Sequence, residues 1–338
     1  MSNIDWKSLT FSYMKTDYNV RCYYRNGKWG ELEISSSEYV EMHIAATCLH
    51  YGQEAFEGLK AFRGADGKVR LFRWEENWKR MVKSAQGILL AEVTKEVFKE
   101  AIDKAIKMNE RFIPPYGTGG SLYIRPVLLG SGAKVGVSPA DEYLFMVFVS
   151  PVGPYFKSGF KPVKMQLVRD FDRAAPLGTG CYKVGGNYAA SLKAGERAHD
   201  EGYAASIFLE AKNKEFIDEA GPANFFAIKD NTYITPESSS ILHSITNMCL
   251  RDLAKDMGLK VECRHINVNE LSSFEEAGAC GTAAVISPIG EIQDREIGTV
   301  YKYGDNEAGV WSTKLYNRLQ AIQYGEEADK FGWCEIVL

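Results

Sequence analysis

Nothing in these 338 residues is built to cross a bilayer. The most apolar stretch, Tyr143 to Val149, falls far short of the ~20 apolar residues that a spanning helix needs. An excess of one charge is missing too: 40 Lys and Arg stand against 44 Asp and Glu, a net charge of −4. With no basic run, that balance leaves no electrostatic footprint for nucleic acid. Cysteine is sparse and unpatterned. The seven, at 22, 48, 181, 249, 263, 280 and 334, form an odd, scattered set without zinc-site spacing, so no metal is expected. The opening Met1-Ser-Asn-Ile-Asp-Trp-Lys7 has neither the basic start nor the apolar run of a secretory signal. A cytoplasmic protein with reduced thiols is therefore expected. There is no internal repeat, no low-complexity tract and no early strand–glycine-rich–helix fingerprint of a dinucleotide site.

What is present is ordinary globular material, 45% hydrophobic and 25% charged, in a chain long enough for two domains. Arg25-Asn-Gly-Lys28 predicts a hairpin turn, because Asn-Gly favours positive φ at both central positions. Strand signals run from Leu49 to Arg73, broken by Gly58 and by a turn at 64–67. The spacing predicts a helix over 75–90, with Trp78, Met81, Val82, Ala85 and Leu89 as its apolar stripe. A second helix is expected over 94–111, starting at a Thr94 cap with Glu92 and Glu96 nearby. Strands are expected over 121–129 and 141–150. Pro151-Val-Gly-Pro-Tyr-Phe-Lys-Ser-Gly159 is rich in proline and glycine and reads as a linker. The expected organisation is a small α+β domain over 1–152, a linker over 153–164 and a larger, β-rich domain over 165–338. In that second half, strands are expected over 163–169, 204–210, 215–219, 224–228, 259–266 and 283–286. Helices are expected over 187–199, after Ser244 as far as Gly258, and over 310–322.

The stretch that organises the chain is Pro176-Leu-Gly-Thr-Gly-Cys-Tyr-Lys-Val-Gly-Gly-Asn-Tyr188. Glycine pairs flank Lys183 on both sides, so the backbone can turn sharply and a ligand can approach without meeting a Cβ. Two readings follow from the residues alone. Lys183 is either a solvated lysine in a glycine-rich loop, or a desolvated amine whose pKa falls toward that of a usable nucleophile. Arg80 beside its helix stripe, and Arg125 two residues from Tyr123 on a strand, are open in the same way. Ser244 caps a helix whose first amides, at Ile245 and Thr246, either receive an anion or merely face water.

Gly178-Thr-Gly-Cys-Tyr-Lys-Val-Gly-Gly-Asn-Tyr188 resembles the cofactor-lysine segment of the branched-chain amino-acid aminotransferases, fold type IV enzymes that use pyridoxal 5′-phosphate. The resemblance continues in register through Leu49-His-Tyr-Gly-Gln-Glu-Ala-Phe-Glu-Gly-Leu-Lys-Ala-Phe62, Val69-Arg-Leu-Phe72, Ser121-Leu-Tyr-Ile-Arg-Pro-Val127, Ser150-Pro-Val-Gly-Pro-Tyr-Phe156, Ala279-Cys-Gly-Thr-Ala-Ala284 and Ile322-Gln-Tyr-Gly-Glu326. It implies an α/β, two-domain α+β fold with the cofactor at the domain interface, and a homodimer. It also implies that Lys183 forms a Schiff base with the cofactor. Glu219 then pairs with the ring nitrogen, Tyr188 with the phenolic oxygen, and Arg80, Ile245, Thr246 and Thr282 with the phosphate. Tyr51, Phe56, Tyr123, Arg125, Tyr155 and Ala283 fall on substrate positions, Tyr51 from a partner subunit. The implied reaction is ping-pong transamination of leucine, isoleucine and valine with 2-oxoglutarate.

Two departures are visible. Pro222 stands where many relatives carry a hydroxyl or small residue, and proline has no N–H to donate. Ala284 and Ser287 replace the Cys-x-x-Cys pair of animal members, so thiol switching there is not expected. D-amino-acid aminotransferases and aminodeoxychorismate lyases share the lysine and the glutamate, but are generally shorter and lack the Tyr-Ile-Arg-Pro strand. A cofactor-free scaffold with an inert Lys183 is the reading from another class.

Overall fold

The computed structural model describes residues 4–153, 160–305 and 307–338. The chain separates into two compact units. The first comprises Met1–Pro154, Tyr182–Gly185 and Ile322–Leu338, and the second comprises Tyr155–Cys181 and Gly186–Ala321. This corrects the expectation that everything from 165 onward forms one domain. Four residues around Lys183 and the last seventeen residues of the chain fold with the first unit, because hydrogen bonds hold them there.

The first unit is built on an antiparallel sheet. Its strands are β1 (Asn19–Arg25), β2 (Lys28–Trp29), β3 (Glu33–Ser35), β4 (Glu54–Phe56), β5 (Leu59–Arg63), β6 (Val69–Phe72), β7 (Ser121–Gly130) and β8 (Tyr143–Val152). They run in the order β6-β5-β7-β8-β1-β2, with β3 on β1, β4 on β7 and the C-terminal strand Cys334–Ile336 on β6. Asn26 (φ 53°) and Gly27 (φ 78°) make the expected turn between β1 and β2. Thr47–Tyr51, read from the sequence within a strand region, is instead a short helix, α1, closed by Gly52 at φ 61°. Helices α2 (Trp74–Gly87) and α3 (Lys95–Met108) complete the unit. The Thr94 hydroxyl caps α3 by accepting from the Val97 amide at 3.2 Å. The buried side of α2 is Trp74, Asn77, Met81, Ser84 and Ala85. The expected member Leu89 lies outside the helix, exposed and at φ 56°.

Along β7 the burial alternates: Leu122, Ile124 and Leu128 are in the core, while Tyr123, Arg125 and Val127 line the opposite, half-open face. Lys183 is recruited to this unit by short bonds. Val184 bridges to Ala55, the Phe56 amide donates to the Lys183 carbonyl at 3.1 Å, and the Lys183 amide donates to Ser84 Oγ at 2.9 Å.

The second unit is β-rich. Its strands are β9 (Val163–Val168), β10 (Ala205–Leu209), β11 (Ile217–Ala220), β12 (Ala223–Lys229), β13 (Thr232–Pro236), β14 (Lys260–Arg264), β15 (Glu276–Gly281), β16 (Val285–Asp294) and β17 (Thr299–Lys302). Because β11 pairs with both β10 and β12, the ring β11-β10-β9-β16-β15-β12 closes on itself, and β13 and β14 extend from β12. Its core gathers Phe225, Ile207, Ile217, Ile234 and Ile292. Helix α5 (Ile245–Asp256) packs on β14 and β15; α4 (Gly185–Asp200) belongs to this unit from Gly186 on, and α6 (Val310–Tyr324) as far as Ala321. The strands β13, β15 and β17 were not read from the sequence.

Candidate active site

Within the first unit, five of the residues singled out above come together. The Lys183 amine lies 4.6 Å from the Phe56 ring centroid. The Arg125 guanidinium lies over the same ring at 4.8 Å and over Tyr123 at 5.3 Å. Arg125 Nη2 also donates to the Tyr123 hydroxyl at 3.0 Å, and Arg125 Nε is buried without a hydrogen-bond partner. Gly58 makes room for Tyr123: a Cβ there would collide with the phenol. Arg80 reaches into this set from α2, its side chain 11% exposed. Burial, and then the Arg80 charge, lower the Lys183 pKa from 10.5 to about 8. The residue as a whole is only half-buried, but its amine is desolvated, and that end decides the chemistry.

Three contributors escaped the sequence reading. Glu57, 0% exposed, binds Arg80 through both carboxylate oxygens. Glu54, from β4, accepts the Gly185 amide and so fixes the chain just past the lysine. Phe11 packs edge-on against Tyr123 at 5.0 Å. The sequence carried no signal for the first two, because a carboxylate reads as solvated until its partner, here Gly185 or Arg80, is known. Phe11 offered none, because it approaches from far away in sequence.

Tyr51 is placed differently. It is exposed, and its hydroxyl donates to the Val135 carbonyl. Tyr155 lies outside the described residues.

The second unit holds the remaining set. Glu219 on β11 is 4% exposed, accepts from the Leu242 amide at 2.7 Å and stands 3.4 Å from Arg173 Nε. Arg173 is itself buried and was not foreseen. Glu219 pairs in register with Asn224. The Asn224 side chain then accepts from the Ser244 amide at 3.2 Å and donates to the Leu242 carbonyl at 2.9 Å. This links the carboxylate strand to the start of α5, where Ser244 Oγ caps the Asn247 amide. The amides of Ile245 and Thr246 begin that helix and have no intrahelical acceptor, which is the arrangement that receives anions. The helix packs on β15, and Thr282 and Ala283 form the turn from β15 to β16. Tyr188 is half-buried in the first turns of α4. Pro222 is exposed in the turn from β11 to β12, beside Gly221 at φ 61°.

Among the described residues, no group of His, Cys, Asp and Glu could hold a metal ion. The donor set fits pyridoxal phosphate instead. The first unit offers a desolvated primary amine suited to an aldehyde carbon and a guanidinium suited to a phosphate, and the second, by itself, offers a buried carboxylate suited to a ring nitrogen and a helix start suited to an anion.

The fold is that of the type IV aminotransferases. The structure superposes on an Escherichia coli branched-chain amino acid aminotransferase with TM-score 0.81 at 27% identity, over 96% of this chain and 100% of that one. It superposes almost as well, with TM-score 0.80 at 22% identity, on the branched-chain amino acid aminotransferase of Thermobaculum terrenum in its PLP-form, over 96% of this chain and 99% of that chain. The sequence model for amino-transferase class IV matches residues 54–292. Branched-chain-amino-acid aminotransferases of Haemophilus influenzae and Helicobacter pylori are 44% and 46% identical, each over 98% of this chain and 98% of its own length. The chain belongs to the class IV amino-transferase family.

Proposed function

We propose that the protein moves the amino group of leucine, isoleucine or valine reversibly onto 2-oxoglutarate, giving a branched-chain 2-oxo acid and L-glutamate. It is a branched-chain-amino-acid aminotransferase, and its cofactor is pyridoxal 5′-phosphate. When bound, that cofactor supplies an electron sink that makes the α C–H of an amino acid acidic. The observation that carries the reading is the Lys183 amine, desolvated and flanked by Phe56, Arg80 and Arg125.

Lys183 is assigned the covalent attachment of the cofactor and, once free, the proton transfer at the substrate α-carbon. An amine with a pKa of about 8 can take up and return a proton near neutral pH. Arg80, the Ile245 and Thr246 amides and Thr282 are assigned the phosphate, Tyr188 the phenolic oxygen and Glu219 the ring nitrogen. Phe56 and Tyr123 offer an apolar wall for the branched side chain, with Tyr51, Tyr155 and Ala283 assigned to the same substrate. One methylene in such a pocket changes binding by only ~1–3 kcal/mol, so the three amino acids are poorly separated. Arg125, whose Nε is buried and unbonded, is assigned the second carboxylate of glutamate. The first product leaves before the second substrate enters, so the kinetics are ping-pong.

We also assign the protein to the cytoplasm as a homodimer. Supporting the dimer, Ile44, Leu49, Tyr51, Val135 and Val137 are all exposed. Their segments are joined by the Lys134 amide to Ala45 carbonyl bond at 2.9 Å. The decisive assay is L-leucine with 2-oxoglutarate, in which parallel double-reciprocal lines are expected. Turnover of D-alanine with none of L-leucine would make it a D-amino-acid enzyme of the same fold and overturn the substrate reading.

A further inference from the structure

Glu57 carries a formal charge in a place with no water to solvate it. Its side chain is 0% exposed, and a buried carboxylate persists only with its oxygens saturated by donors. They are: Oε1 accepts from Arg80 Nε at 2.6 Å, and Oε2 from Arg80 Nη2 at 2.8 Å. Oε2 also accepts from Asn77 Nδ2 at 2.7 Å and from the Gly58 amide at 3.1 Å. Asn77 is pinned in turn by its bond to the Gly58 carbonyl at 3.1 Å, and the Glu57 amide is tied to the Pro126 carbonyl at 2.8 Å. Helix α2, the β4–β5 connection and β7 therefore all fix this one carboxylate. A two-pronged bond from a carboxylate sets the plane of a guanidinium as well as its position, and an arginine has five N–H donors in a rigid fork, of which Glu57 takes two.

We propose that Glu57 is the positioning residue for the cofactor phosphate, fixing the plane and position of the Arg80 guanidinium that meets the anion. The proposal rests on the reading of Arg80 as a phosphate ligand. It also accounts for the polar residues on the buried side of α2: Asn77 completes the carboxylate's coordination, and Ser84, two turns on, holds the Lys183 amide. The charges that act on the Lys183 amine are those of Arg80, Glu57, Tyr123 and Arg125. Glu57 thus also offsets part of the Arg80 field at the reacting nitrogen.

The test compares two probes, pyridoxal phosphate and pyridoxal, which differ only in the phosphate. Their dissociation constants are measured on the full-length protein resolved of cofactor. For Glu57→Gln we expect pyridoxal phosphate affinity to fall by about tenfold to a hundredfold, the range for second-layer partners of a liganding group, with pyridoxal affinity little changed. Arg80→Lys keeps a positive charge but cannot be gripped by two prongs, and should lose the same discrimination. The double variant should be no worse than either single one. Equal losses for both probes in Glu57→Gln would reduce Glu57 to a structural role and overturn the proposal, as would no loss at all. If Arg80→Lys and Arg80→Ala both keep the wild-type preference, the Arg80 reading itself fails, a result distinct from failure at Glu57 alone. Should Glu57→Gln not fold, Glu57→Asp retracts the carboxylate by one methylene, and retained discrimination in that variant refutes the idea.

Discussion

At the scale of single residues, the reactivity of Lys183 is a matter of which protonation state the fold tolerates. Burial first, and the Arg80 charge second, disfavour the ammonium and bring its pKa to about 8. The rate at which cofactor-free protein captures pyridoxal phosphate should therefore rise with pH and level off above about 8, since only the free amine attacks a carbonyl. Arg80→Met removes a repelling charge and leaves Glu57 in place, so the limb should move to higher pH; an unmoved limb would mean Arg80 exerts no field there. Lys183→Ala should abolish transamination and the lysine adduct seen by mass spectrometry after borohydride. The same shift has a stability consequence. A folded-state pKa below the ordinary 10.5 means the folded chain binds fewer protons than the unfolded one between about 8 and 10.5. On this account stability rises with pH through that window, and Lys183→Met should flatten the rise in denaturant titrations. Lys60, whose pKa burial also brings down to about 8, contributes a slope of the same sign that this variant leaves intact.

At the scale of elements, the lysine segment depends on two adjacent glycines that do different work. A Cβ on Gly185 would collide with Glu54 Oε1, the acceptor of its own amide, whereas a Cβ on Gly186 meets nothing within 4 Å. Gly185→Ala should displace Glu54, loosen the chain beside Lys183 and lower kcat. Gly186→Ala, in the first turn of α4, should leave kcat intact and raise stability by roughly 0.5–1 kcal/mol. Comparable losses from both would show that the loop needs flexibility rather than room for Glu54. Helix α2 shows where sequence periodicity stops being informative. A stripe counted in apolar residues runs on to Leu89, but the helix ends at Gly87, and its buried side includes Asn77 and Ser84. Those polar residues are buried because Glu57 and the Lys183 amide need them, partners supplied by chain 20 and 99 residues away. The start of α3 was legible because its Thr94 cap is a local contact, accepting from the Val97 amide three residues on. Glu57 and Arg173 were not, because a charged residue reads as solvated until its long-range partner is known. Leu89 itself, exposed at φ 56°, sits where a side chain costs about 1–2 kcal/mol. Leu89→Gly should recover part of that cost, measured as a higher denaturation midpoint.

At the scale of the whole molecule, the last residues and the exposed apolar segments decide how the chain holds together. The C-terminal strand pairs with β6. The Leu338 carbonyl accepts the Val69 amide at 2.8 Å, and Glu335 accepts from Trp74 Nε1 at 2.6 Å. Deleting Cys334–Leu338 would turn β6 into a bare sheet edge, an open template for aggregation, and should lower both the melting temperature and the soluble yield. The apolar segments make a different demand. Val135 and Val137 are 86% and 87% exposed and Ile44 is 84% exposed, on segments joined by the Lys134 amide to Ala45 carbonyl bond. If these segments meet a second copy, the protein elutes at twice the chain mass in light scattering. Val135→Lys with Val137→Lys would then set like charges against each other across a two-fold contact and shift the population to monomer. Loss of activity in step with the dimer, restored at high protein concentration, is expected if Tyr51, tied to Val135 through its hydroxyl, completes the partner's substrate site. A monomer with full activity would remove Tyr51 from that role and leave the exposed valines without a function in catalysis.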